Sequence, residues 1–176
     1  MELWDLYDRD RLPTGEIHER GKPLPPGRYH LVVHVVIFNP QGEMLIQQRQ
    51  PFKEGWPNLW DVTVGGSATA GDTSRSAAER EVLEEIGLRI DLSQEQPRLT
   101  IPFDVGFDDI YTLVMAVDLS TLRLQESEVQ AVKWAGKDEV LAMLAEGRFI
   151  PYHKAFLELL FALKDAKGAH VSRLGK

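Results

Sequence analysis

The sequence predicts one α/β domain in which helices cover both faces of a mixed β-sheet. The stretch 29–38 is rich in valine and almost continuously apolar, which is typical of a strand covered on both sides. Helical patterns at 73–86 and in the last third of the chain supply the covering layers. With 176 residues and no internal repeat or low-complexity linker, we expect residues 1–167 to form this single domain.

The N-terminal part, residues 1–28, is expected to be a β-hairpin extension. Two short strand patterns at 3–7 and 16–18 flank the turn-rich segment 8–15. The segment 21–27 contains three prolines, which exclude a helix or a central strand there.

The remaining elements follow from hydrophobic periodicity and turn residues. Thr73 is the predicted N-cap of the first helix and Gly87 the residue that ends it. The last residues, 168–176, are expected to be disordered. The predicted strands are 29–38, 44–48, 60–64, 99–103, 110–117 and 129–134, and the predicted helices are 73–86, 137–146 and 152–164.

The composition limits the chemistry and the partners. The absence of cysteine excludes disulfides and thiolate chemistry, so a metal would need oxygen or imidazole ligands, which favours Mg²⁺ or Mn²⁺. A net charge of −7 favours a small-molecule partner over a nucleic-acid polymer. Without a signal-peptide pattern or an apolar run long enough for a bilayer, the sequence predicts a cytoplasmic protein without membrane association. A homodimer is left open.

Three glutamates crowd one face of the first predicted helix. Glu81, Glu84 and Glu85 stand at positions i, i+3 and i+4, within a wedge of about 100°. Like charges at this spacing destabilise a helix, and a bound divalent cation would remove that penalty. A solvated acidic surface is the alternative interpretation. Val82, Leu83 and Ile86 are expected to pack against the sheet.

The surrounding residues resemble the signature of the Nudix hydrolases. That signature reads glycine, five residues, glutamate, seven residues, Arg-Glu, an aliphatic, any residue, Glu-Glu, any residue, glycine and an aliphatic. The chain matches it from Gly66 to Leu88 at every fixed position but one, where Asp72 replaces the glutamate. We expect this shorter acid to brace the loop less well, or through water.

The resemblance implies a Nudix-type α/β/α sandwich that hydrolyses a diphosphate linkage with Mg²⁺ or Mn²⁺. It assigns Glu81, Glu84, Glu85 and the carbonyl of Gly65 as metal ligands. It also implies that Arg80 orients a neighbouring glutamate and that Glu84 or Glu85 is the general base. An acid outside the motif is an alternative base, and the local candidates are Asp104, Asp108, Asp109, Glu126 and Glu128.

A longer stretch, 29–60, resembles the isopentenyl diphosphate isomerase branch of the family. In that branch, the residues matching Arg49 and Lys53 bind the substrate diphosphate. The positions of the isomerase's cysteine and one metal-binding histidine hold Val64 and Gly66, which favours hydrolysis over isomerisation. His30 survives from the branch's metal set, but we expect it and His34 to be core residues. An isomerase-like enzyme and a non-catalytic sensor of a diphosphate metabolite remain the alternatives.

Overall fold

The computed structural model describes residues 2–166 and 168–170, and it confirms a mixed α/β domain. Of the tail predicted to be disordered, only 168–170 belong to the described residues. None of the helices in the described part of the chain has the length and apolar character needed to cross a bilayer. The strands are β1 (Leu3–Tyr7), β2 (Pro13–Glu19), β3 (His30–Phe38), β4 (Met44–Arg49), β5 (Trp60–Asp61), β6 (Val64–Ser67), β7 (Leu99–Phe103), β8 (Gly106–Val114) and β9 (Val129–Ala135), and the helices are α1 (Ser74–Ile86), α2 (Lys137–Ala145) and α3 (Lys154–Leu163).

Strand β3 is the centre of the main sheet. The hydrogen-bonded order is β5-β4-β3-β8-β7, with β6 also paired to β3 and β9 to β4. Strand β3 runs parallel to β8 over its full length and antiparallel to β4 and β6. The predicted mixed sheet is therefore present, but β4 is paired along its length with β9 rather than with β3.

The two faces of β3 belong to two separate cores. Val33, Val35 and Ile37 pack in the core that contains the apolar face of α1. Val36 and Phe38 point to the other side, into the core that contains buried residues of α2 and α3. Because successive side chains of a strand point to opposite faces, the apolar residues of β3 contribute to both cores. The predicted α/β/α sandwich is confirmed.

The predictions for the strand at 60–64 and for the glycine pair that follows it are wrong, because side chains there take the place of backbone hydrogen bonds between strands. The single strand predicted at 60–64 is two strands, and the Gly65-Gly66 pair lies inside β6 instead of ending a strand. Asp61 accepts a hydrogen bond from the backbone N–H of Val62 at 2.7 Å, which turns the chain. The hydroxyl of Thr63 accepts from Ile37 N–H at 2.8 Å and donates to the Leu45 carbonyl at 2.6 Å, so it takes the place of a backbone pair.

The N-terminal hairpin is confirmed and is attached to the domain at both of its ends. Near its turn, Arg11 forms a bidentate ion pair with Asp109, a fully buried carboxylate. At the other end, the Leu3 carbonyl accepts from Ala70 N–H at 2.7 Å. Trp4 stacks on His30 with ring centroids 4.2 Å apart. These contacts fix the position of the hairpin against the sheet.

Candidate active site

Helix α1 begins and ends at the residues that its sequence predicts. Thr73 is the N-cap, and its hydroxyl accepts from Ser76 N–H while the Ser76 hydroxyl accepts from Thr73 N–H. Gly87 follows the helix with φ 68°, a left-handed conformation that glycine adopts without steric cost. These caps fix the rotation of the helix and with it the direction of its glutamates.

The glycine pair in β6 leaves the space that Glu81 occupies. A Cβ atom at Gly66 would lie 2.2 Å from Cδ of Glu81, and one at Gly65 would lie 2.5 Å from the ring of His34. Burial raises the pKa of Glu81 above its ordinary value, although the charge and hydrogen bond of Arg80 act against this. The Glu81 carboxylate therefore lies directly against the strand that carries the Gly65 carbonyl.

Arg80 joins the acids of the motif into one network. Its guanidinium donates to Asp72 through Nε and Nη2 at 3.1 and 2.8 Å, and through Nη1 to Glu81 at 2.9 Å and Glu84 at 3.2 Å. Nη2 also donates to the Ser67 carbonyl at 3.1 Å, which ties the helix to β6. Arg80 thus contacts two of the expected metal ligands.

Asp72 makes its contacts directly, in contrast to the expectation of a weaker or water-mediated brace. Besides Arg80, it accepts from the backbone N–H and hydroxyl of Thr69 at 3.0 and 2.8 Å and from the Ser76 hydroxyl at 3.0 Å. Partial burial acts to raise its pKa, but hydrogen bonds from Arg80 and Thr69 hold the pKa of Asp72 below its ordinary value. The shorter acid stays charged and organises the loop before α1.

Glu85 is the most buried glutamate of the motif. It is 7% exposed, and the amide of Gln47 on β4 donates to its carboxylate at 2.9 Å. Burial, together with the negative charge of Glu81, raises the pKa of Glu85 to about 8. Gln47 was not foreseen, because nothing in the local sequence connects β4 to α1.

The donor set fits a hard divalent cation, although the side chains are not drawn together around one. Within residues 2–166 and 168–170, no three acidic or histidine side chains converge closely enough to form a complete metal site. Arg80 holds Glu81 and Glu84, and Gln47 holds Glu85. Burial raises the pKa values of Glu81 and Glu85, and a bound cation would stabilise the charged form of both carboxylates. Their oxygen donors suit Mg²⁺ or Mn²⁺.

The two expected diphosphate-binding cations face the same cavity as the glutamates. This cavity has a volume of about 680 Å³ and is lined by all three motif glutamates, Arg80, Arg49 and Lys53. Arg49 donates through Nε to the Gly55 carbonyl at 3.0 Å, and Lys53 forms an ion pair with Glu128. The structure therefore brings together residues of the loop after β4 and of α1, which are separated by 27 or more positions in sequence.

Among the alternative acids, Glu128 lines the cavity. Asp109 pairs with Arg11, and Asp108 accepts from His34 Nδ1 at 2.8 Å. Several further lining residues were not foreseen, and two of them, Glu2 and Arg20, lie on the hairpin. Local sequence gives no signal for them, since they reach the cavity only through the docking of the hairpin.

Comparison with known proteins places the chain in a family. The NUDIX domain matches residues 28–160. A relative described as an uncharacterized Nudix hydrolase of Listeria innocua is 50% identical over 170 residues, which cover 97% of this chain and 99% of the relative. An isopentenyl-diphosphate Delta-isomerase of Citrobacter koseri is 27% identical over 145 residues, 80% of each chain.

The fold has a counterpart among solved structures. A crystal structure of a Deinococcus radiodurans protein superposes with a TM-score of 0.71 at 24% identity, covering 90% of this chain and 97% of that one. With the domain match and the full-length relative, the chain belongs to the Nudix family. Its full-length relatives are described as Nudix hydrolases, which is the class of enzyme that the motif predicts.

Proposed function

We propose that the protein hydrolyses a diphosphate linkage in a small organic or nucleoside diphosphate derivative, with Mg²⁺ or Mn²⁺ as cofactor. The observation that carries this proposal is the shared cavity, in which three glutamates on one helix face Arg49 and Lys53. This reaction needs two groups of residues: acidic side chains that hold the metal ion, and basic side chains that hold the phosphate oxygens.

The motif residues that line the cavity have distinct roles in this proposal. Glu81, Glu84, Glu85 and the Gly65 carbonyl would hold the cation, which would neutralise phosphate charge, polarise phosphorus and lower the pKa of the attacking water. Glu84 or Glu85 accepts the proton from that water. Arg80 is a positioning residue, because its contacts are to the carboxylates.

Arg49 and Lys53 would hold the diphosphate in different ways. The planar guanidinium of Arg49 can donate two parallel hydrogen bonds to one phosphate, whereas Lys53 acts as a point charge. In the structure the Lys53 ammonium pairs with Glu128. A bound phosphate would therefore replace the Glu128 carboxylate as the partner of Lys53. The released Glu128 is a second candidate for the general base.

Two other functions have partial support. Similarity to an isopentenyl-diphosphate isomerase favours an isomerase-like enzyme. The chain contains no cysteine, and Val64, expected at the position of the isomerase's cysteine, has a buried alkyl side chain that cannot move a proton, which argues against this function. A non-catalytic sensor would bind the same ligands without chemistry, but all three motif glutamates are present. The cytoplasmic location and the small-molecule partner stay predictions, and whether the protein forms a homodimer stays open.

A substrate screen with added metal tests the proposal. Purified protein is incubated with nucleotide sugars, dinucleotides, nucleoside triphosphates and prenyl diphosphates, with Mg²⁺ or Mn²⁺ or with EDTA. We expect metal-dependent release of a phosphorylated product from at least one class, detected by ³¹P NMR. Binding of a diphosphate without turnover in any class would favour the sensor instead.

A further inference from the structure

The N-terminal hairpin forms part of the wall of the active-site cavity. Glu2 and Arg20 line this cavity together with the glutamates of α1. They are adjacent across the hairpin, where Arg20 Nη1 donates to Glu2 at 2.7 Å and the Arg20 backbone N–H donates to the Glu2 carbonyl at 3.0 Å. The hairpin thus presents one cation and one anion to the cavity.

Arg20 has donors that are not used by the protein. A guanidinium carries five N–H groups, and within the described residues the Arg20 side chain donates only through Nη1, to Glu2. Its side chain is 56% exposed, so the remaining donors are accessible from the cavity and solvent. An exposed arginine with unused donors can take up a phosphate without first losing a buried partner.

The position of Arg20 is set by the docking of the hairpin. The Arg11–Asp109 ion pair holds one end, and the Leu3–Ala70 hydrogen bond holds the other. Glu2 is held independently of Arg20, because its other carboxylate oxygen accepts from Trp4 Nε1 at 2.9 Å. Because the hairpin holds the Arg20 guanidinium at a fixed place in the cavity wall, Arg20 can distinguish ligands by where they carry a phosphate group.

The Glu2–Arg20 pair shares its cavity with the glutamates of the catalytic motif. Apart from Phe52, none of the side chains that line the cavity in the described chain is large and apolar. The cavity therefore favours a substrate that carries charge beyond its scissile diphosphate.

We propose that Arg20 is a specificity-determining residue that binds a phosphate group beyond the scissile diphosphate. Glu2 competes with that phosphate for Arg20 and so weakens binding of ligands that carry it. The extra phosphate belongs to a linear polyphosphate or to a nucleotide with a third phosphate. This assignment rests on the proposed function, since it takes the diphosphate to be held by the cation, Arg49 and Lys53.

Two variants of the same ion pair separate a binding role from a structural one. Arg20→Gln removes the cation, and Glu2→Gln removes the competing charge while its amide oxygen can still accept from Trp4. Both variants break the same ion pair, so a merely structural role would move binding in the same direction in both. Arg9→Gln is the control, because Arg9 is an exposed arginine of the same hairpin that does not line the cavity.

Calorimetry with inorganic pyrophosphate and tripolyphosphate in saturating Mg²⁺ gives the readout, and ³¹P NMR checks that the probes remain intact. We expect Arg20→Gln to weaken tripolyphosphate binding about tenfold, as for the loss of one charge-assisted hydrogen bond, with pyrophosphate binding within about twofold. Glu2→Gln should strengthen tripolyphosphate binding severalfold, and Arg9→Gln should change neither probe.

Equal effects on both probes, or shifts of the same sign in Arg20→Gln and Glu2→Gln, would overturn the role of Arg20 and leave the diphosphate site intact. The same titrations with a nucleoside triphosphate and its diphosphate distinguish the two sources of the extra phosphate. A loss of affinity in Arg20→Gln for the nucleoside triphosphate but not for the diphosphate indicates a nucleotide, and a loss for tripolyphosphate alone indicates a linear polyphosphate. Failure of the wild-type protein to bind pyrophosphate at all would contradict the proposed function, and the role of Arg20 with it.

Discussion

Asp72 shows at the scale of one residue how the motif tolerates a shorter acid. The aspartate carboxylate reaches Arg80, Thr69 and Ser76 directly. The hydrogen bonds keep its pKa low in spite of partial burial. The shorter side chain therefore still reaches both the loop and α1, which the sequence could not reveal.

The spacing of the glutamates could be predicted from sequence, because it depends only on the helical repeat. Their environments could not. Glu84 has a half-exposed side chain, whereas Glu85 is buried and receives a hydrogen bond from Gln47, thirty-eight positions earlier in the chain. Leu83 was expected to pack against the sheet, and that prediction is wrong, since it is 38% exposed. The buried stripe follows Val82 and Ile86 at i and i+4.

The cations of the cavity give the first prediction. Replacing Arg49 and Lys53 together by alanine should raise KM more than it lowers kcat, because contacts made equally in ground and transition states change binding alone. Steady-state kinetics on the best substrate of the screen measures this. Lys154→Ala, an exposed lysine of α3 outside the cavity, is the control. Unchanged kinetics in the double variant would exclude contact with the diphosphate.

At the scale of elements, the contact between β6 and α1 builds the site. Gly66→Ala should displace Glu81, because the new Cβ would lie 2.2 Å from its Cδ. We expect weaker Mn²⁺ binding by calorimetry and a kcat/KM at least about tenfold lower. Gly136→Ala is the matched control, since a Cβ there meets nothing within 4 Å. Normal Mn²⁺ affinity in Gly66→Ala would show that Glu81 is free to move away and is not positioned by β6.

The hairpin is the second element that lines the cavity, and His30 on β3 contacts it by stacking on Trp4. Burial lowers the pKa of His30 from 6.5 to about 4, with a smaller contribution from Arg20 and an opposing one from Glu2. The unfolded chain therefore binds this proton at higher pH than the folded protein does. Folding stability should fall as pH drops from about 7 to 4.

The variant His30→Phe removes this titration and keeps an aromatic ring against Trp4. We expect the wild-type protein to lose up to about 3 kcal/mol more unfolding free energy than the variant between pH 7 and pH 4. Denaturant unfolding at several pH values measures the difference. Parallel pH profiles would show that the pKa of His30 is the same in the folded and the unfolded states.

Sequence patterns located most elements, and their failures have a common cause. The strand predicted at 60–64 is interrupted where Asp61 and Thr63 make side-chain bonds to the backbone. Strand β8 is shifted to Gly106–Val114 because its partner β3 begins at His30, and the two run in parallel register. Long-range pairing, rather than local propensity, sets these boundaries.

At the scale of the whole molecule, similarity to an isomerase and to a hydrolase points to different chemistry on one fold. Isomerisation of a double bond needs an acid and a base on opposite sides of the substrate. Val64 supplies neither, and Gly66 offers no imidazole. We therefore expect no deuterium exchange into isopentenyl or dimethylallyl diphosphate in deuterated water, followed by NMR. Incorporation at an enzymatic rate would make the isomerase the better account.

Glu84 and Glu85 are expected to carry metal-dependent hydrolysis in this cavity. Glu84→Gln, Glu85→Gln and the double variant are compared with Glu79→Gln, a matched control on the same helix. The Glu79 carboxylate accepts from Leu92 N–H, and it does not line the cavity. Glu85→Gln removes a buried carboxyl group whose pKa is about 8 and keeps an acceptor for Gln47, so apo-protein stability should not fall in this variant.

The most direct measurement is the rate of Mg²⁺-dependent product release from the best substrate, followed by ³¹P NMR for all four variants and the wild type. We expect at least about a hundredfold loss in Glu84→Gln or Glu85→Gln, a larger loss in the double variant, and a wild-type rate in Glu79→Gln. Full activity in both single variants and in the double variant would contradict the assignment of this helix as the catalytic and metal-binding element.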